Sequence, residues 1–522
     1  MSLSEIKKEN EIVLNFLRAG NLEKAFKTYE NIKPNVDDEE LTKEIENFKK
    51  LFFIELESLI QKYISNQNYL EAIKGLEFFT KQNIDVDKFF YKKLALLYLK
   101  IGDNQNFIKS FSKYQNFISE NELTFNELSL LAGVYINLYH ESHMSEYGHK
   151  ILKYLKLAEK QAPQDKEVKR NISYLASELN ENELALLYAK KLMEYKDVTP
   201  DDKFHYAIFN LKKKNLEEYY KYWDERFYTE AHKGDLPEFD KPMWTSNDKN
   251  LNEKTLLIMY EQGFGDTILM AGYLNRLEKL FKKVIFVVQD QLCALLKENF
   301  SGIEILPASK TNLKLLEYDC WISSMSIPVA LNLPIEELSF DYQYIYPNKE
   351  LSEKYKKELF NNDKLKIGLS FSGNQLIQNC HVRLKDIPVS EFIAFDNLKN
   401  VELYSLSKDI SEENFSAFKN NKIHNLSNYM KDFSDTASLI ENCDIIITAD
   451  NVILNLAGAM NKTTIGLFNF FYSSRWYDLN EENCGWFTSV KPIVNEELNN
   501  WKPSIEKTVK DVEALIKQPK SQ

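Results

Sequence analysis

Cysteine is the first residue this sequence has little of. Its five cysteines, Cys293, Cys320, Cys380, Cys443 and Cys484, lie scattered through the second half without a C-x-x-C pair, and only Cys380, beside His381, has a histidine close by. An odd, dispersed set makes neither a disulfide framework nor a zinc site and fits reduced thiols of a cytoplasm. Long apolar runs are missing as well. No stretch reaches the roughly 18 apolar residues that a membrane span needs. Met1 to Asn10 is polar and charged with no apolar h-region, so neither a span nor a secretory signal is expected, and the expected location is cytoplasmic. A basic excess is absent too: 78 acidic against 66 basic residues leave a net charge of −12, which speaks against a general nucleic-acid binder but leaves room for a local basic pocket. What the chain does have is length and apolar content. At 522 residues and 44% hydrophobic it can build several domains and more than one core.

From Ser4 to Phe227 glycine is scarce, apolar residues recur at helical spacing, and strand-like alternation is hard to find. One local pattern returns: a helix end, a short polar turn, then a helix with a small or apolar residue near its first turn. It reads Ala19-Gly20-Asn21-Leu22-Glu23-Lys24-Ala25, then Gln67-Asn68-Tyr69-Leu70-Glu71-Ala72, then Gly102-Asp103-Asn104-Gln105-Asn106-Phe107. It comes back at Asn180-Glu181-Asn182-Glu183-Leu184-Ala185 and at Lys214-Asn215-Leu216-Glu217-Glu218-Tyr219. Asn68 to Asp103 is 35 residues and Glu181 to Asn215 is 34, whereas Asn21 to Asn68 is 47, so the register is loose. A period near 34 resembles the tetratricopeptide repeat and predicts stacked helical hairpins, a common surface for proteins or peptides; the other reading is a helical bundle with a packing role alone. His140 and His143, three apart on a helix with no carboxylate motif beside them, read as packing or surface residues, not metal ligands.

Leu236 to Asn252, with Pro237 and Pro242, is loop chemistry. It divides the chain into a repeat domain over 1–235, a linker over 236–253, a first α/β lobe over 254–350 and a second over 351–522. Beyond the linker, apolar runs alternate with helical patterns in βαβ order, which implies parallel sheets. Strands are expected at Thr255–Tyr260, Val284–Val288, Ile303–Leu306 and Tyr318–Ile322 in the first lobe. In the second they are expected at Leu365–Ser370, Val401–Leu406, Asp444–Thr448 and Thr463–Phe468. Helices are expected at Thr267–Phe281, Gln291–Asn299, Thr436–Asn442 and Asn451–Met460. The fold class is therefore α plus α/β, and ligands of such sheets bind beyond the carboxyl ends of the strands, in a cleft between the lobes.

At that edge lies Gly263-Phe264-Gly265-Asp266-Thr267, a strand-to-helix turn whose glycines let backbone approach a ligand. It is neither a Walker A loop nor a complete G-x-G-x-x-G, since Ile268 stands at the third glycine position. Asp266 reads either as a helix N-cap or as a carboxylate able to take a proton from an acceptor hydroxyl. Asp450-Asn451 reads either as an Asx cap or as a seat for a diphosphate. Arg383 and Lys385 read either as solvated cations or as phosphate partners.

The series Lys241-Pro242-Met243-Trp244, Lys254-Thr255-Leu256-Leu257 and Glu261 to Ile268 resembles the opening of the catalytic domain in bacterial tetratricopeptide-repeat glycosyltransferases, themselves similar to the heptosyltransferases of lipopolysaccharide synthesis. Gly368 to Asn374, Leu403 to Lys408, Asp432 to Ala437, Asp450 to Phe468, Arg475-Trp476, Gly485 to Phe487 and Asn500-Trp501 continue the likeness in order. Tyr222 to Phe227 resembles the family's last helix before that domain. The resemblance implies a GT-B module of two Rossmann-like lobes. It implies inverting, metal-independent transfer of a hexosyl, heptosyl or nonulosonic-acid group from a nucleotide sugar, with no cofactor. By the same resemblance Asp266 is the general base. The donor is held by Gly263, Gly265, Gly373, Asn374, Arg383, Lys385, Ser407, Lys408, Asp450, Asn451 and Asn455. The implied acceptor is a protein, flagellin or another surface protein, docked on the repeats; a glycolipid or saccharide acceptor, with a partner enzyme on the repeats, is the alternative. The chain departs from the family at Asn451, where threonine or serine is usual, and at Asn455, where histidine is usual. Gln375 to Lys385 also lacks the family's Asp-Arg-x-Arg-Ser pattern. Those departures keep a third reading open, a non-catalytic scaffold with a decayed donor site.

Overall fold

The computed structural model describes residues 2–32, 39–81, 88–142, 144–371, 385–408, 415, 416, 418–420, 422–472, 475–480, 482 and 484–517. His143, Gly373, Asn374, Cys380 and Arg383 lie outside them. The chain falls into two compact units, Met1–Asp165 and Lys166–Gln522.

The first unit is four helical hairpins: α1 (Leu3–Arg18) with α2 (Leu22–Asn31), α3 (Glu39–Ser65) with α4 (Tyr69–Lys81), α5 (Lys88–Lys100) with α6 (Asn104–Gln115), and α7 (Phe125–Ser142) with α8 (Ser145–Gln161). Two more open the second unit, α9 (Lys166–Glu178) with α10 (Asn182–Met193) and α11 (Pro200–Lys212) with α12 (Leu216–Tyr222). Each of the five recurrent turns joins the two helices of one hairpin. At each, the residue before the cap is left-handed: Gly20 at φ 75°, Gln67 at 59°, Gly102 at 76°, Asn180 at 57° and Lys214 at 60°. That conformation ends one helix, and the next residue begins the following one; Asn21 and Asp103 do so by accepting from the backbone N–H of Lys24 and Asn106. The small or apolar residue that follows, Ala25, Ala72, Phe107, Ala185 or Tyr219, is buried in every case. The 27-residue length of α3 accounts for the long Asn21–Asn68 spacing. The hairpin α7/α8 carries no such pattern in its sequence.

In the second unit the α/β part contains two all-parallel sheets. The first has β1 (Thr255–Met259), β2 (Lys283–Val288), β3 (Glu304–Pro307) and β4 (Cys320–Ser323) in the order β3-β2-β1-β4. The second has β5 (Leu365–Ser370), β6 (Val401–Ser405), β7 (Ile423–Asn425), β8 (Ile445–Ala449), β9 (Thr464–Phe468) and β10 (Val490–Val494) in the order β10-β9-β8-β5-β6-β7. Counted from β5 this is the 3-2-1-4-5-6 order of a dinucleotide fold, with its reversal between β5 and β8. The eight expected strands are present; the edge strands β7 and β10 are additions. The first is three residues long, and the second carries an exposed Lys491 and a proline, the buried Pro492, which suits an edge position.

The expected single helix Thr267–Phe281 is two, α13 (Phe264–Ala271) and α14 (Leu274–Leu280). It starts three residues early because Gly263 is the N-cap, and it breaks at Gly272, where a Cβ would lie 2.5 Å from the ring of Phe340. Further helices are α15 (Cys293–Asn299), α16 (Ile327–Ala330), α17 (Lys349–Leu359), α18 (Phe433–Glu441), α19 (Val452–Ala459) and α20 (Lys502–Lys517).

The segment after α12 is tied to the first sheet by a buried ion pair. Arg226, fully buried, spans both oxygens of Glu261, with Nε 2.9 Å from Oε1 and Nη2 2.8 Å from Oε2. Burial alone would raise the Glu261 carboxyl, but Arg226 holds it below the usual range. Since Glu261 immediately precedes the Gly263 turn, this pair positions the turn from the side of the hairpins. Pro242 to Trp244 runs beside β4: Trp321 N donates to Pro242 O at 3.1 Å, and Trp244 N donates to Trp321 O at 2.8 Å.

Candidate functional site

The carboxyl ends of β1, β5 and β8 open onto one cleft of about 570 Å³. Its walls include Gly263, Gly265 and Asp266 from the first lobe and Lys385, Ser407, Lys408, Asp450, Asn451 and Asn455 from the second, so every candidate residue among those described meets there.

Asp266 is the third residue of α13 and not its cap; its Oδ2 accepts from Gly263 N at 3.1 Å, satisfying a free N–H of the first turn. Its Oδ1 accepts from Nη1 of Arg475. The other guanidinium arm reaches Asp450, with Nη2 3.3 Å from Oδ1. Asp450, at the end of β8, also accepts from Trp476 Nε1 at 2.9 Å and is paired through Oδ2 with Lys385 Nζ at 2.7 Å. Burial pushes the Asp450 carboxyl up, but Lys385 and Arg475 outweigh that and hold it below the usual carboxylate range. Burial likewise disfavours a charged Arg475, yet Asp266 and Asp450 raise its pKa further still. One arginine thus joins a carboxylate of each lobe. Arg475 carried a family likeness in the sequence but no assigned role; nothing local in Arg475-Trp476 announces that it will stand between two aspartates 209 and 25 residues away.

Asn451 is the N-cap of α19. Its Oδ1 accepts from Ile453 N at 2.9 Å and from Thr448 Oγ1 at 3.0 Å, and its Nδ2 donates to Ser370 Oγ at 2.9 Å, tying the ends of β8 and β5 together. Ser407 Oγ accepts from Phe371 N at 3.0 Å. Asn455, 1% exposed, donates Nδ2 to Asn451 O at 3.2 Å, while its Oδ1 is buried without a hydrogen bond among the described residues. It packs on Gly265, where an added Cβ would come 2.7 Å from Nδ2; that glycine lets α13 and α19 meet across the lobes. Lys408 and Lys431 also line the cleft and make no ion pair among the described residues. Phe264 and Phe433, with ring centroids 5.0 Å apart, bring an aromatic edge from each lobe.

The chemistry these groups offer is specific. Two glycines and the starts of α13 and α19 present backbone N–H groups, four cations line the cleft, and one carboxylate sits on the first-lobe side. That suits a ligand with an anionic diphosphate and a neutral group beside it. Among the described residues no cluster of three histidine, cysteine or acidic side chains has metal-site geometry, and no helix is long and apolar enough to cross a membrane.

Along the chain, helical hairpins in series are followed by two parallel α/β lobes with a cleft at their strand ends. No family model matches the chain. The protein FlbA of Caulobacter vibrioides is 22% identical over 370 residues, covering 66% of this chain and 61% of FlbA, so the chain spans about three-fifths of the length of that curated relative. Among solved structures, a family 9 glycosyl transferase from Veillonella parvula is 13% identical, covers 52% of this chain and 99% of its own, and has a TM-score of 0.38. The ADP-heptose LPS heptosyltransferase II of E. coli is 12% identical over 50% of this chain and 98% of its own, at a TM-score of 0.36. A tetratricopeptide-repeat protein of Thermus thermophilus is 19% identical over 34% of this chain and 90% of its own, at a TM-score of 0.21.

Proposed function

We propose that the protein is a glycosyltransferase that moves a sugar from a nucleotide-sugar donor to an acceptor hydroxyl by a single inverting displacement. The observation that carries this reading is the meeting of Asp266 and Asp450, one from each lobe, on Arg475 at the strand ends of both sheets. In the proposed step the acceptor oxygen attacks the anomeric carbon as the bond from that carbon to the leaving phosphate oxygen breaks. The acceptor proton passes to Asp266, whose oxygens keep lone pairs beyond those used by Gly263 and Arg475. Charge gathering on the leaving phosphate is met by Lys385, Lys408, Lys431 and Arg475 and by the N–H groups at the start of α19, so the transfer proceeds on the chain's own cations, without a metal.

The donor contacts are therefore mostly cationic and backbone. Asn451 shapes the seat through its cap, and Asn455 fills the position under Gly265, so the departures at these two residues leave a built site and count against a decayed scaffold. Gly373, Asn374 and Arg383 complete the donor side in this proposal, as the motif resemblance implies. For the acceptor we infer a protein, flagellin or another surface protein, held by the hairpins. The exposed Leu51, Ile54, Leu70, Phe89 and Phe117 of the first unit support a protein-binding surface there.

The reading is tested by incubating the protein with a panel of nucleotide sugars and an extract of its native cell, with mass spectrometry of the products. One donor is expected to give a mass increment equal to its glycosyl residue on an acceptor, with release of the nucleotide. If no donor in the panel is consumed and none raises thermal stability by mass action, the reading fails.

A further inference from the structure

Arg475 also lines another cavity, of about 330 Å³. Gln262 and Arg475 line both spaces, so the two meet at the residue that holds Asp266. The new cavity is lined from several parts of the second unit, among them three that carry its polar and aromatic groups. α9 supplies Tyr174 and Glu178, α11 supplies His205, Phe209 and Lys212, and the segments flanking Arg475 supply Tyr472 and Trp486.

One of its polar groups is left without a partner by the fold. Glu178 is 7% exposed, lines the cavity, and its carboxyl has no hydrogen bond or ion pair among the described residues. A buried, unpartnered carboxyl costs stability, so its retention beside a cleft points to a ligand. Lys212 donates to Asn182 at 3.2 Å and lies 5.4 Å from the ring centre of Tyr472, and no ion pair joins it to Glu178. Burial pushes the Glu178 carboxyl up to about 7, depresses His205, and lowers Lys212 to about 8, so the charged form of each is disfavoured, while Lys212 and Arg475 still give the lining cationic donors at neutral pH. Flat aromatic faces combined with groups that both give and take hydrogen bonds match a ring with apolar C–H faces and hydroxyl edges. They match a compact anion poorly, and a purely apolar side chain would leave Glu178 unsatisfied.

We propose that this cavity is the acceptor-side subsite of the transferase and takes a neutral saccharide ring, so that the receiving hydroxyl belongs to a glycan residue or is carried next to one. The proposal rests on the transferase reading for the word acceptor. It makes Glu178, His205 and Lys212 acceptor-binding residues and leaves Asp266 as the group that takes the proton.

The test uses the full chain. Trp223 and Trp486 line the cavity and report on it by fluorescence. Methyl glycosides of neutral hexoses and of N-acetylhexosamines are titrated to about 100 mM, a range suited to millimolar affinity. ADP, UDP, GDP and CMP are titrated separately by calorimetry. At least one glycoside is expected to give a saturable change that weakens tenfold or more in Glu178→Leu and in Tyr472→Ala, while both variants bind the nucleotide as the parent does. If a nucleotide binds but no glycoside saturates, or if N-acetyltyrosinamide binds in the glycosides' place, the subsite proposal is overturned and the transferase reading stands. If no nucleotide binds, the transferase reading falls and the acceptor assignment falls with it.

Discussion

Arg475 is enclosed by two carboxylates, and the balance of burial against charge at this residue decides how the cleft is built. Each aspartate alone would be an uncompensated buried charge; together with Lys385 and Arg475 they form an alternating cluster in which desolvation is offset by close opposite charges. Asp266 was legible in the sequence because a strand-to-helix glycine turn is a local pattern. Arg475 was not, since its role arises only when two distant strands end at the same place. Glu178 is the opposite case, a buried acid with no compensation. Burial pushes its carboxyl up from the ordinary 4.5 to about 7. Between those values the folded state holds the proton more tightly than the unfolded chain, so stability falls as pH rises from 4.5 to 7 and stays reduced above it. His205, Lys212, His232 and Arg475 line the same cavity, so the comparison is made against a variant that changes only this carboxyl. Glu178→Gln is expected to be more stable than the parent at pH 8 by on the order of 2–3 kcal/mol, with the difference shrinking toward zero at pH 5, as read by urea unfolding at both values. A difference independent of pH would show that the carboxyl is not titrating as described.

Elements were legible where a backbone conformation forces a residue choice. The five hairpin turns stood out because a left-handed residue followed by a helix start favours Gly, Asn or Asp in a narrow window, and the buried small residue after each turn marked the helix-to-helix approach. The sequence joining α7 and α8 carries no such signature. β7 and β10 are edge strands too short or too polar for the apolar runs that revealed the inner strands. The crossing of α13 and α19 shows why a second glycine is needed in Gly263-Phe264-Gly265. Gly265→Ala places a methyl group 2.7 Å from Nδ2 and 3.2 Å from Cγ of the buried Asn455, which must shift to make room. The substitution should cost about 1–3 kcal/mol, and Asn455→Ala in the same chain should recover a good part of it. A double-mutant cycle by thermal unfolding reads the coupling; additive effects would mean the helices do not meet at this pair.

At the scale of the molecule, the boundary of compactness falls near residue 165, whereas the compositional break in the sequence falls at 236–253. The reason is visible in the contacts. Trp223 Nε1 donates to Met325 O at 2.9 Å, Tyr220 OH donates to Leu333 O at 2.6 Å, and Arg226 is buried against Glu261. Helical periodicity gives no sign that the last two hairpins pack with the α/β lobes, because helices packing on helices and helices packing on sheet lobes show the same apolar stripe. Residues 166–522 expressed alone are therefore expected to unfold cooperatively and bind nucleotide, while 236–522, stripped of Arg226 and the Trp223 contact, should be several kcal/mol less stable or insoluble. Equal stability of the two fragments by circular dichroism melts would contradict this assignment of α9–α12.

Whether Asp266 takes the acceptor proton is tested most directly by one variant. Asp266→Asn keeps the size of the side chain and an oxygen for Gly263 N or Arg475 but cannot serve as a base. With the cognate donor and acceptor, the account predicts that transfer falls by roughly 10²–10⁴-fold while nucleotide affinity stays within about threefold and the melting transition remains cooperative. Transfer at the parent rate in a folded, nucleotide-binding Asp266→Asn protein would contradict it.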